Sequence, residues 1–111
     1  MVVISYDISL LRAEMEQLAK EKKALVLNPD NQALLYIKKN KPKVVILDIS
    51  SAESLLYEIY IAIKKEIPDT KFIITGFQKA VKGDFSKIEA FKVFPYNSKK
   101  LKQILKEQFK L

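Results

Sequence analysis

The chain has 111 residues and a formal net charge of +7, with 20 Lys or Arg against 13 Asp or Glu. It contains no Cys, His or Trp, which excludes disulfides, thiolate metal centres, Ser-His-Asp catalysis, imidazole–zinc sites and phosphohistidine chemistry. With 2 glycines in all, it has no Gly-rich phosphate loop either. Any chemistry must come from Asp, Glu, Lys, Ser, Thr or Tyr.

The length fits one domain, residues 1–111, large enough to bury a core without a covalent or metal staple. No apolar stretch is long enough to cross a bilayer, and the first residues lack the basic and apolar regions of a signal peptide. A soluble, cytoplasmic protein with no membrane partner is expected.

Val2-Val3-Ile4-Ser5 is a short continuous apolar run, as in a buried strand. Ile8, Leu11, Met15 and Leu18 then recur at helical spacing, with Ser9 placed to cap that helix. Residues 24–27 read as a second strand. Pro29 sits at an expected first helical position, and Ala33, Leu34 and Ile37 form that helix's apolar face up to the Lys-rich breaker before Pro42. Residues 43–48, Lys-Val-Val-Ile-Leu-Asp, are the clearest strand.

Ser50 and Glu53 have capping-box spacing before a long helix that runs to Ile67 and stops at Pro68. Residues 72–75 make a fourth strand, closed by Gly76. Between 77 and 90 the pattern is weak, and Asp84 is placed to cap a short helix carrying Phe85 and Ile88. Residues 91–94 alternate as an edge strand does. Asn97 or Ser98 caps a last helix with Leu101, Ile104 and Leu105 on one stripe. Short apolar strands alternating with amphipathic helices predict an α/β fold. The expected form is a flavodoxin-like three-layer α/β/α sandwich whose five-stranded parallel sheet has the order 2-1-3-4-5.

Sites in such sheets lie at the carboxyl ends of the strands. Those ends carry Ser5-Tyr6-Asp7, Asn28, Asp48, Thr75-Gly76 and Phe94-Pro95. Asp7 and Asp48 follow neighbouring strands, and converging carboxylates can hold a hard divalent cation.

On these residues the chain resembles a receiver domain of bacterial response regulators over its whole length. The resemblance makes Asp48 the phosphoacceptor position, Asp7 with Asp48 the Mg²⁺ ligands, and Thr75 the switch hydroxyl. Phe94-Pro95 matches the family's Lys-Pro after strand five. Three departures stand out: Tyr6 replaces the first metal-binding acid, Phe94 replaces the phosphate-pairing Lys, and the usual Met-Pro and Asp-Gly after the phosphoacceptor are absent, since Ile49-Ser50-Ser51-Ala52 runs straight into a helix. The segment between Thr75 and Pro95 is also short. A neutral phenol weakens the metal site, and Phe removes a cation that would stabilise a phosphoryl group.

The reading is therefore a degenerate, pseudo-receiver-like signalling domain, not an enzyme, that works without phosphorylation and without a cofactor through protein–protein contact. A working two-component receiver phosphorylated on Asp48 with Mg²⁺ is the alternative. The third possibility is a basic adaptor that binds nucleic acid or an acidic protein.

Two surfaces could carry such contacts. Tyr57 and Ile61 project away from the core face of the third helix at 100° per residue, which suits self-association or a protein partner. Residues 92–111 hold six Lys and one acid, a net +5. Lys99, Lys102, Lys106 and Lys110 form a stripe on the last helix, but Arg12 is the only arginine, and Arg is the better reader of nucleic acid.

Overall fold

The computed structural model of the chain describes residues 1–111. Five strands alternate with helices: β1 Val2–Ile4, α1 Arg12–Glu21, β2 Leu25–Leu27, α2 Asn31–Asn40, β3 Val44–Asp48, α3 Glu53–Glu66, β4 Lys71–Thr75, β5 Phe91–Val93 and α4 Ser98–Phe109. A single 3-10 turn, Gly83–Lys87, lies between β4 and β5. The sheet is parallel throughout, in the order β2-β1-β3-β4-β5.

The strand sequences explain the layers. Successive side chains of a strand point to opposite faces. Val2, Ile4, Val45, Leu47, Phe72 and Ile74 meet α2 and α3 on one face. Val3, Val44, Ile46 and Ile73 meet Met15 and Leu18 of α1 and Leu101 and Leu105 of α4 on the other. Every residue of β1 and β3 is buried, which is why their sequences are apolar without alternation up to Asp48. Leu25 of β2 and Phe91 of β5 are exposed, as edge strands allow. The flavodoxin-like α/β architecture and strand order read from the sequence are those of the structure.

Four local expectations fail. Helix α1 starts at Arg12, three residues past Ser9, and Ile8 is 74% exposed instead of packing on the core. Helix α2 begins after Asp30, whose side chain accepts from the Ala33 N–H at 3.1 Å, so Pro29 lies outside it. No capping box forms at Ser50 and Glu53. The residue before α3 is Ala52, in the left-handed region at φ 56°, and no side chain caps that helix. In the 3-10 turn Asp84 lies inside, and Lys82 occupies the flanking position.

The segment of residues 77–90 forms no α-helix. Phe85, 1% exposed, is its one fully buried side chain after Gly76. It meets Tyr57 edge-on, with ring centroids 5.3 Å apart, and lies 6.3 Å from Tyr60. Tyr57 is thus half-buried under the turn and does not project into solvent as its helical phase suggested. Ile61 does, at 47% exposure.

Burial raises the pKa of two phenols, Tyr60 under the turn and Tyr96 after β5, because desolvation disfavours the phenolate; Tyr57 and Glu89 add to it at Tyr60. A folded-state pKa above the unfolded value of about 10 leaves stability intact below that pH. Stability is lost as pH rises through the folded pKa. The urea midpoint should hold up to about pH 9 and then fall, less steeply in Tyr60→Phe/Tyr96→Phe. Parallel decline of both proteins would contradict it.

Candidate functional site: a sealed carboxylate at the sheet edge

The chain runs from β1 outward to β2 and returns to place β3 on the other side of β1. At such a reversal the loops leaving β1 and β3 diverge, and a crevice opens between the strand ends. Here the β1–α1 loop fills it. Asp48 ends β3, is 0% exposed and accepts three hydrogen bonds. Ser5 Oγ donates to its Oδ2 at 2.7 Å, Ser9 Oγ donates to the same oxygen at 2.6 Å, and the Ser50 N–H donates to Oδ1 at 3.0 Å.

The loop geometry follows from those bonds. The Ser9 N–H donates to the Tyr6 carbonyl at 2.9 Å, closing a turn over the carboxylate. Ser9 Oγ in turn accepts from the Leu11 N–H at 3.1 Å. Ser9 is thereby drawn to Asp48, and α1 begins only after Leu11. Arg12 Nη1 donates to the Ser5 carbonyl at 2.6 Å and to Asn28 Oδ1 at 3.2 Å, while Nε pairs with Glu16 at 2.9 Å. The one arginine therefore braces the ends of β1 and β2.

Ser50 links the site to β4. Its N–H serves Asp48, and its Oγ accepts from the Phe77 N–H at 3.0 Å. This explains the missing capping box: the N–H is taken by Asp48 two residues earlier and the Oγ by Phe77 after β4. Gln78 Nε2 donates to the Ile49 carbonyl at 3.0 Å. A Cβ at residue 76 would collide with the Gln78 amide and stand 3.2 Å from the Phe94 ring, so Gly76 is what lets Gln78 fold back there.

The other predicted residues do not join this cluster. Asp7 is exposed and makes no hydrogen bond with Asp48; Tyr6 is half-buried and contributes only its carbonyl. The Thr75 hydroxyl is buried and donates to the Val93 carbonyl at 2.7 Å, across to β5. Phe94 packs against the α2–α3 side of the core. No group of three or more acids is poised for a metal. Mg²⁺ needs a near-octahedral set of oxygen ligands. A carboxylate already held by two hydroxyls and an amide does not fit that role.

On α4, Lys99 and Lys106 are exposed and Lys102 pairs with Glu21 of α1 at 2.7 Å, whereas Lys110, expected on the same stripe, is exposed just past the helix end in the left-handed region at φ 57°. The hydrogen bond from Lys102 holds the Glu21 carboxyl below its ordinary value. Ser5 and Asn28 are visible in the sequence as strand-end residues, but nothing local pairs them with Asp48 or Arg12. No helix is long and apolar enough to cross a membrane. The chain matches no family model, no curated protein and no solved structure.

Proposed function

We propose that the chain is a receiver-like signalling domain of the cytoplasm that keeps the receiver's framework without its phosphoryl chemistry and acts through protein–protein contact. The observation that carries this reading is the closure of Asp48 by Ser5, Ser9 and Ser50. Attack on a phosphoryl donor needs a carboxylate oxygen open to in-line approach and cations to neutralise the transferring group. At Asp48 a donor would first have to displace the β1–α1 loop. The nearby guanidinium of Arg12 is engaged with Ser5, Asn28 and Glu16.

The same closure presents a contact surface. Ile8 and Leu10 flank Ser9 and are 74% and 73% exposed. Aliphatic side chains held out on a loop that is anchored from beneath suit a partner contact better than a solvated tip. A loop held by a buried carboxylate is pre-organised, which lowers the ordering cost of binding.

The test is incubation with acetyl phosphate and Mg²⁺, and separately with beryllofluoride. The intact mass and the amide spectrum around Asp48 should not change. A phosphoryl adduct that disappears in Asp48→Ala would replace this reading with that of a working receiver.

A further inference from the structure

Residues 92–111 carry a net +5, and a groove lined by part of that segment does not include Asp48. Lys99, Lys102 and Lys106 of α4, with Lys22 at the end of α1, line an open groove of about 550 Å³. Lys99 and Lys106 are exposed and take part in no ion pair. Glu107, the one acid in the lining, accepts from the Gln103 amide at 3.0 Å. Two ammonium groups thus face solvent on the same helix flank with no internal counter-charge.

Three chemistries could neutralise them, and the groove discriminates. Single-stranded nucleic acid binds by stacking its bases on aromatic rings, and base edges are read chiefly by arginine. The lining holds no aromatic residue, and Arg12 is committed to Ser5 and Asn28. A second copy of the chain would bring +7 against +7, which opposes association. An extended acidic peptide fits better. Lysines four apart on a helix are separated by about 6 Å along its axis. Alternate side chains of an extended strand recur every 6.4–6.8 Å or so. Carboxylates at every second position of a peptide would therefore meet Lys102 and Lys106 in register, with Lys99 one turn earlier.

We infer that the groove between α1 and α4 is a docking site for an extended acidic segment of a partner protein, with Lys99 and Lys106 as its free cations. Lys102 is the exchange point. Its bond to Glu21 is replaced by a bond to the incoming carboxylate, which keeps the groove's central lysine neutralised in both states.

The probe is a fluorescent peptide in which Glu alternates with Ser, titrated by anisotropy. It should bind saturably, and the charge-reversed Lys99→Glu/Lys106→Glu protein should bind about tenfold more weakly or worse. Raising salt from about 0.05 to about 0.5 M should weaken binding comparably, because exposed pairs are screened. Lys39→Glu/Lys65→Glu makes the same charge change on α2 and α3 and should leave the affinity within about twofold of the parent at moderate salt. The milder Lys99→Gln/Lys106→Gln variant keeps the comparison decisive if charge reversal disturbs α4. Equal losses in the two reversed variants would overturn the site, as would absence of saturable binding. Tighter binding of a random DNA duplex than of the peptide at one salt concentration would assign the groove to nucleic acid instead. None of these outcomes bears on Asp48, which lies at the sheet edge and not in this groove.

Discussion

Asp48→Ala is expected to lower the unfolding free energy by about 3 kcal/mol, and Asp48→Asn by about 1 kcal/mol. The difference comes from what each change leaves behind. Alanine removes the acceptor of three hydrogen bonds and leaves Ser5 Oγ, Ser9 Oγ and the Ser50 N–H without their partner in a closed site. Hydrogen bonds to a charged group are worth about 1.5–3 kcal/mol each, but the burial cost of the carboxylate itself is relieved, so the net loss is smaller than their sum. Asparagine keeps a carbonyl for Ser50. Its amide can donate to Ser5 and Ser9, whose hydroxyls rotate to accept. Urea unfolding of the three proteins measures the order. Hydrogen exchange should locate the Asp48→Ala defect in residues 5–11, where the loop loses its anchor. Equal stability of all three proteins would mean that the carboxylate does not organise the loop, and the proposed function would lose its support.

Phe85→Ala should be the most damaging single change outside the strands, at about 4 kcal/mol. The ring is fully buried against Tyr57 and Tyr60, and Tyr60 continues the contact to Phe72 at 4.7 Å. Such a truncation usually costs about 3–5 kcal/mol through lost burial and a residual cavity. The local consequence is larger than the ring. Residues 77–90 have no other fully buried side chain, so the segment is attached to the α3 face chiefly at this point. Trypsin should then cut after Lys79, Lys82 or Lys87 in Phe85→Ala under conditions where the parent resists. Phe85→Leu, which keeps most of the apolar volume, should lose about 1–1.5 kcal/mol and remain resistant. A loss below about 1 kcal/mol in Phe85→Ala would show that the turn is held by other contacts.

The phase of Tyr57 on α3 was legible, and it pointed the ring away from the strand-facing stripe. What receives the ring is the turn at Gly83–Lys87, whose own sequence has no periodic signal. The contact joins residues 28 positions apart through a single phenylalanine, and no local pattern encodes it. Ile61, one turn further along the same flank, lies outside the cover of that turn and stays exposed.

Ser9 and Ser50 teach the same point about hydrogen bonds. Each has the residue type and spacing of a helix cap. Caps are worth about 1 kcal/mol. A buried carboxylate without donors costs several. The Ser9 hydroxyl and the Ser50 N–H therefore donate to Asp48, which is 39 residues from Ser9, Ser50 Oγ accepts from the Phe77 N–H, and both helices start without side-chain caps. The Mg²⁺ pair inferred from resemblance differs for a related reason. Asp7 has the right separation in sequence, but the turn that carries Ser9 to Asp48 leaves Asp7 exposed.

What the sequence by itself determined is the frame: an α/β fold, five parallel strands in the order 2-1-3-4-5, and a carboxylate at the end of β3. These follow from short-range patterns, because strands buried on both faces read as continuous apolar runs and helices as periodic stripes. Composition likewise excluded whole classes of chemistry before any geometry was known. Only the tertiary structure decided whether Asp48 faces a ligand or the chain's own hydroxyls, and whether the Lys stripe of α4 lies on a convex face or lines a groove with Lys22. Both depend on which distant polar groups the sheet edge brings within 3 Å or so of one another, and hydrogen bonds at that range leave no periodicity in the sequence.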